Sequence, residues 1–371
     1  MGTFLGPRWV YVKRACRFMQ ASIPQSLSHK LANMGFLCAC LVAFIHVQVP
    51  SALKCVIGSG VALLAVPFFF VASGYFLGGH LQERDWYRTE LSKRVRSLLI
   101  PFLSWTMVKV FYVFTILLLG ICLHVGTQKL QAMPTSVSDW CMTFGLDPFQ
   151  MPRLQPLWFL RALFILCLLS PLLIWPLRQS RRAAFLWILG LWCAWWGCSS
   201  FVSFSPPWRN FLLYTLSMDG VVYFSAGCCL RLHGVTLRMP RSLAWSSLLI
   251  VLLLVFDFAT KNHLALSFNG RQSLLRLLLP LLILSVWTLV PVRGWPKWLT
   301  STAFPIFLVH MLLLSALDNL FALIPLLSPA QLGANLDYLL RGLLAILLSI
   351  IFAVLLRKLF PRTAAFLFGG R

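Results

Sequence analysis

The chain has 371 residues, of which 59% are hydrophobic and only 11% are charged. Soluble domains are about 45–50% apolar, so this composition excludes an ordinary soluble protein. Apolar runs recur from Leu31 to the end of the chain, and each is near the ~20 residues that a helix needs to cross a bilayer. The runs lack the alternation of transmembrane strands. The sequence therefore predicts an all-α polytopic membrane protein.

The formal net charge of +23 has two readings, a nucleic-acid partner or a membrane topology that keeps cations on the cytoplasmic side. With the N-terminus inside, 22 of the 32 Lys and Arg residues fall in inner segments and six in outer segments. This alternation favours topology, an inner surface that contacts anionic membrane lipid, and no nucleic-acid partner. We predict both termini to be cytoplasmic and ten spans, at residues 31–49, 57–79, 98–124, 157–177, 183–204, 211–230, 242–258, 272–291, 300–323 and 336–356.

The domain organisation follows from these spans. Residues 1–30 contain basic residues without the apolar core of a secretory signal, so we predict a cytoplasmic lead-in. Residues 31–356 form one ten-helix membrane domain, and residues 357–371 form a cytoplasmic tail. The longest loop, Val125 to Pro156, is large enough to form a lid on the outer face.

Cysteines and glycines have mainly structural interpretations. The eleven cysteines show no metal-ligand spacing, so no metal is expected, and most lie within spans, where they pack as small apolar residues. A disulfide between Cys55 and Cys141, in predicted outer loops, stays open. The glycines at positions 74, 78 and 79 favour close helix packing over ligand contact.

Polar side chains inside the spans are the candidate site residues, because ionisable groups in a bilayer are costly and usually functional. His46 ends the first span, Arg161 begins the fourth, His310 lies within the ninth, and Ser73 lies in the inner half of the second. Two structural alternatives remain. Arg161 could form a buried ion pair with Asp219, and His310 could make only a structural hydrogen bond.

A basic segment precedes the third span in the string "ELSKRVRSLLIP". Its cations Lys93, Arg94 and Arg96 could bind phosphates of a cytosolic cosubstrate at the inner mouth of a cavity. The rival interpretation is an anchor at the membrane surface, and the sequence leaves both open.

Five strings, in chain order and at matching topology, together resemble the integral-membrane acyltransferase family 3. They are "CLVAFIHV", "VPFFFVASGYFL", "ELSKRVRSLLIPFLSW", "PLWFLRALFILCLLSPLL" and "FPIFLVHMLLL". The resemblance places the family's first-span histidine on His46 and implies a ten-helix core. The family commonly has an arginine eleven residues earlier, where this chain has Gly35. Arg161 or Arg94 could take that role, or donor use could be altered.

The resemblance implies an O-acetyltransferase-like enzyme of the bacterial inner membrane that modifies cell-envelope polysaccharide. Acyl-CoA, acetyl-CoA in particular, would be the cytosolic donor, held by Lys93, Arg94 and Arg96. A carbohydrate or lipid-linked glycan would be the acceptor at the outer side. Histidine is the usual general base for a hydroxyl, which favours His46. Positions that could face the oxyanion are Arg161, Ser73 and His310.

Two other functions compete with this interpretation. A transporter of a small polar solute or acyl group would also place polar residues within ten helices, but the chain shows no inverted repeat. A structural membrane protein would leave the intramembrane histidine and arginine unexplained. The sequence leaves the acceptor, the acyl chain length and a homo-oligomeric partner open.

Overall fold

The computed structural model describes residues 23–81, 83–122, 136–201, 204–237, 239–260, 268–323 and 333–370. Every regular element in these residues is helical, which confirms the predicted all-α class. The first half of the chain forms α1 (Gln25–Ile45), α2 (Ala65–Gly78), α3 (Trp86–Arg94), α4 (Ile100–Cys122), α5 (Val137–Thr143), α6 (Leu157–Leu168), α7 (Ser170–Leu177) and α8 (Arg181–Phe201).

The second half continues the helical pattern. It forms α9 (Pro206–Asn210), α10 (Met218–Leu232), α11 (Arg241–Thr260), α12 (Phe268–Leu289), α13 (Lys297–Thr300), α14 (Ala303–Leu323), α15 (Ala334–Leu359) and α16 (Pro361–Leu367). Wider π-helical turns at Lys54–Gly58, Val95–Leu99 and Phe211–Thr215, and a 3₁₀ turn at Val61–Leu64, lead into or interrupt these helices.

Helical residues occupy all ten intervals predicted as spans. Six helical stretches of the described chain are long and apolar enough to cross a membrane, and a seventh is formed if α6 and α7, bent by 61° at their junction, count as one. Two shorter apolar helices, Arg241–Leu254 and Leu278–Leu289, lie in α11 and α12. These findings support a multi-pass helical membrane protein, while the number ten stays a prediction.

The crossing of α2 and α10 brings two backbones into direct contact. A Cβ atom built on Gly74 would lie 2.0 Å from the Phe224 carbonyl oxygen, and one built on Gly227 would lie 2.0 Å from the Val71 carbonyl oxygen. Only a hydrogen atom fits at either position. Small residues allow this approach between membrane helices, so the structure confirms the packing interpretation of Gly74.

Helix α1 is fixed near its middle and at its end by contacts with distant parts of the chain. Near its middle, the Asn33 side-chain amide donates to the carbonyl oxygens of Pro291 (3.1 Å) and Arg293 (2.8 Å). The Asn33 Oδ1 atom accepts from the Trp295 backbone N–H at 3.0 Å. Near its end, the Tyr338 hydroxyl donates to the Phe44 carbonyl at 3.0 Å. These bonds fix the axial position of α1 relative to α14 and α15.

The end of the chain packs back on the helices. Helix α15 continues to Leu359, three residues beyond the predicted membrane domain, and α16 follows it. The Trp105 indole Nε1 donates to the Leu367 carbonyl at 3.0 Å, and the Trp105 ring stacks on Phe368. Residues 361–368 therefore complete the packing around α4.

Candidate active site

The two intramembrane histidines lie next to each other. His46 is the first residue after α1 and His310 lies in the second turn of α14, and their ring centroids are 5.2 Å apart at an interplanar angle of 37°. His310 is fully buried, whereas His46 is partly accessible. Because the sequence separates them widely, only the pairing of α1 with α14 brings these predicted residues together. We call them the histidine pair.

The hydrogen bonding of His310 defines which ring nitrogen is a donor. Its Nδ1 atom lies 2.9 Å from the Ile306 carbonyl oxygen, and a carbonyl can only accept, so Nδ1 carries the hydrogen. Nε2 of the neutral ring is then an acceptor. This Nε2 is buried and has no hydrogen-bond partner among the described residues. An unmet buried acceptor costs about 1–3 kcal/mol, so the site favours a donor group beside His310.

An aromatic wall lies next to the histidine pair. The Phe307 ring centroid is 6.3 Å from that of His310, and Phe159 and Phe69 lie 5.5 and 6.4 Å from Phe307. Ser73 follows Phe69 by four residues, so it lies on the same face of α2. Ser73 is therefore one turn away from the aromatic wall. Apolar walls of this kind keep water from reactive groups.

Arg161 is placed differently from the histidine pair. It follows Phe159 by two residues on α6, which directs it to the opposite side of the helix. Nη1 donates to the carbonyls of Gly145 (2.8 Å) and Asp147 (2.9 Å), and Nη2 donates to that of Gln150 (2.9 Å). Its guanidinium thus holds the described part of the predicted lid against α6.

The alternative partner of Arg161 has a different contact of its own. The Asp219 carboxylate accepts from the Trp195 indole Nε1 at 2.6 Å. Thr215 adds a second anchor for the loop, because its hydroxyl donates to the Pro148 carbonyl at 2.5 Å. The carbonyl contacts of Arg161 therefore account for its burial without the ion pair that the sequence left open.

The basic segment divides into two parts. Arg94 turns inward, with its side chain 13% exposed, and forms an ion pair of 2.5 Å with the buried carboxylate of Glu90. Lys93 and Arg96 are exposed, and Lys93 reaches the same carboxylate at only 3.9 Å. Lys93 and Arg96 are thus open to a solvent-borne phosphate, whereas Arg94 already has a counter-ion. Glu90 is not among the site residues predicted from the sequence.

A second charged group was also not predicted from the sequence. Arg341 on α15 forms ion pairs with Asp318 on α14 (2.5 Å) and with Asp337 on α15 (2.6 Å). We call these three residues the charged cluster. Asp337 precedes Arg341 by four residues, a spacing at which opposite charges meet on a helix. That spacing was the available signal in the sequence.

The remaining candidate ligands do not form a cluster. Cys55 and Cys141, which the sequence left as an open disulfide, are both free thiols. Over the described ranges, no group of three or more His, Cys, Asp or Glu side chains is placed to hold a metal ion. The histidine pair, the basic segment and the charged cluster are therefore the polar features that a function has to use.

Comparison with known proteins gives the family. A family model described as an acyltransferase domain, that of acyltransferase family 3, matches residues 33–358. The chain belongs to this acyltransferase family. The matched region contains both members of the histidine pair, and the match confirms the resemblance found in the sequence.

One curated protein similar to this acyltransferase is the succinoglycan biosynthesis protein ExoH of Rhizobium meliloti (strain 1021). The two are 29% identical over 189 residues, which cover 50% of this chain and 46% of ExoH. The match thus spans about half the length of that relative. No solved structure matches the chain.

Proposed function

We propose that this acyltransferase moves an acyl group, acetyl in particular, from cytosolic acyl-CoA to a hydroxyl group of a carbohydrate or lipid-linked glycan at the outer side of the membrane. Family membership supports acyl transfer. The observation that carries the proposal is the histidine pair, with rings 5.2 Å apart beside an aromatic wall. The relative named for succinoglycan biosynthesis supports an acceptor of polysaccharide type, and we place the enzyme in a bacterial inner membrane as part of this proposal.

In the proposed reaction, His46 acts as the general base. The acceptor hydroxyl oxygen attacks the thioester carbonyl carbon while its proton passes to the His46 imidazole. The tetrahedral intermediate then collapses, the carbon–sulfur bond breaks, and the departing thiolate takes the proton from His46. The products are an ester and free coenzyme A, and His46 returns to its neutral form.

His310 and Ser73 are assigned supporting roles in this reaction. The free Nε2 of His310 can accept a hydrogen bond from His46 when His46 carries the extra proton, which stabilises the imidazolium. Ser73 lies on the helix face next to the aromatic wall, so its hydroxyl is the better placed donor to the oxyanion. Arg161 already donates to three loop carbonyls, so we assign it to support of the loop.

The donor is proposed to bind at the opposite end of the molecule. Lys93 and Arg96 are exposed and cationic, as phosphate recognition requires, and Arg94 lies beside them. This arrangement requires the basic segment to face the cytoplasm, as it does in the proposed topology of ten spans with both termini cytoplasmic, which the charge alternation supports. A reporter protein that functions only in the cytoplasm should be active when it is fused after Arg371. Activity restricted to the outside would contradict this topology.

The decisive experiment replaces His46 with Gln, which keeps hydrogen bonding but cannot take up the proton. Purified protein would be assayed for transfer of labelled acetyl groups from acetyl-CoA. Loss of a general base typically lowers the rate by ~10²–10⁴-fold, and we expect that loss with normal folding. The matched control is His80→Gln, because His80 is an exposed histidine in the loop before α3. Wild-type activity should also fall at low pH, where the imidazole is protonated.

Two outcomes would contradict the proposal. Transfer at the wild-type rate in His46→Gln would make His46 a packing residue and move the base to another group. A wild-type protein that neither hydrolyses nor transfers acetyl-CoA, yet carries a labelled solute into vesicles, would favour the transporter alternative.

A further inference from the structure

The charged cluster lies at the same end of the molecule as His46. Tyr338 follows Asp337 directly, and its hydroxyl donates to the carbonyl of Phe44, two residues before His46. On α14, Asp318 follows His310 by eight residues, which is about 12 Å along a helix axis. The cluster is therefore connected to the histidine pair through both α14 and the end of α1.

The charges of the cluster do not balance. One guanidinium faces two carboxylates, which leaves a net negative charge where α14 and α15 pack together. The Asp337 side chain is fully buried, with 0% exposure, and its Oδ2 atom has no hydrogen-bond partner among the described residues. An ion pair that links α14 to α15 needs only one carboxylate to accept from Arg341. The second carboxylate, that of Asp337, orients Arg341 from the same helix and lies in the first turn of α15, where a negative charge is favoured. Neither role accounts for its unmet Oδ2 atom.

The three side chains of the charged cluster differ in their exposure to solvent. The Asp318 side chain is 47% exposed, that of Arg341 is 9% exposed and that of Asp337 is fully buried. Arg341 donates to Asp337 through Nε and to Asp318 through Nη1, so Nη2 remains a donor without a hydrogen-bond partner in the described residues. An incoming group would approach this donor from the side of Asp318, the most exposed member of the cluster.

The chemistry of the cluster selects among ligand classes. A cation would meet the guanidinium of Arg341, which already occupies one oxygen of each carboxylate. An anion would meet the excess negative charge. A neutral group that both donates and accepts hydrogen bonds can use the free carboxylate oxygens and the free Nη2 together. Hydroxyl groups have this property, and several adjacent hydroxyls would use more than one of these atoms at once.

We propose that Asp318, Arg341 and Asp337 form a subsite that binds the neighbouring hydroxyl groups of a carbohydrate acceptor and presents one hydroxyl to the histidine pair. This inference rests on the proposed function, because it needs an acceptor to be acylated. The subsite would make the enzyme selective for polyhydroxylated acceptors over simple alcohols.

The test measures acceptor selectivity with purified full-length protein and labelled acetyl-CoA. The acceptor probes are a panel of methyl glycosides, and n-butanol is the monohydric reference. Selectivity is the ratio of kcat/KM for the best glycoside to kcat/KM for butanol. We expect Asp318→Asn to lower this ratio about 10- to 100-fold, as expected for the loss of charged hydrogen bonds in a site built for them. Asn319→Ser, at the exposed neighbouring position, should keep the wild-type ratio.

A second variant guards against a folding defect. Asp318→Glu keeps the charge that faces Arg341 but moves the carboxylate by one methylene, so the ratio should fall to an intermediate value in a protein of normal thermal stability. A wild-type ratio in both variants would overturn the subsite, as would a wild-type enzyme that prefers butanol to every glycoside. Absence of any acetyl-CoA turnover in the wild type would instead contradict the proposed function itself.

Discussion

Replacement of Gly74 by Ala tests whether this position serves helix packing or ligand contact. The new Cβ atom would lie 2.0 Å from the Phe224 carbonyl oxygen, whereas ordinary contacts begin at 3.4 Å. The obstructing atom belongs to the backbone and cannot rotate away, so α2 and α10 must separate by about 1.4 Å. Overpacking of this kind costs about 1–3 kcal/mol and occasionally more, and the higher helix propensity of Ala returns at most about 1 kcal/mol. We expect a net loss of about 1–2 kcal/mol.

The assay is thermal unfolding of the purified protein in detergent, followed by acetyl transfer per folded molecule. The matched control is Gly190→Ala in α8, where a Cβ atom meets nothing within 4 Å, so stability should stay the same or rise. The melting temperature of Gly74→Ala should fall by several degrees, with the KM for acetyl-CoA nearly unchanged. A variant of normal stability whose KM for acetyl-CoA rises tenfold would refute the packing argument and indicate ligand contact.

Two further predictions concern the arginines. Arg161→Gln should lower the melting temperature and make residues 145–150 more sensitive to protease, because three charged hydrogen bonds to the loop are lost; full stability with abolished transfer would restore a catalytic role for Arg161. Replacement of Lys93 and Arg96 together by Gln, which keeps the Arg94–Glu90 pair, should raise the KM for acetyl-CoA several-fold and weaken its dependence on salt. An unchanged KM with lost membrane insertion would instead support the anchoring alternative.

The sequence identified the histidine pair as two separate candidates but not as a pair. Each histidine is visible as an ionisable group in an apolar run. Their proximity depends on the offset between α1 and α14, which is fixed by the bonds of Asn33 to the Pro291–Trp295 stretch. Hydrophobic periodicity predicts that helices exist, but it contains no information about which helices pair or at what height.

The three cations of the basic segment were predicted as one group, whereas the structure turns Arg94 away from the other two. A regular helix would place Lys93 and Arg96 on one face, but the π-helical turn Val95–Leu99 begins between them. Both are nevertheless exposed, while Arg94 turns inward to Glu90. The partner Glu90 precedes Arg94 by four residues and was therefore within reach of a spacing argument. The π-helical turn was not predictable by such an argument, because no residue pattern in this stretch marks it.

The anchoring of α1 constrains how the protein is made. The hydrogen-bond partners of Asn33 follow it in the chain by 258, 260 and 262 positions. Tyr338, which donates to the Phe44 carbonyl, follows Phe44 by 294 positions. During synthesis, the first helix therefore enters the bilayer long before its permanent neighbours exist. The ribosome must deliver α14 and α15 before the histidine pair can assemble. Nascent chains that stop short of these helices should be inactive, and active enzyme should appear only after α15 has been synthesised.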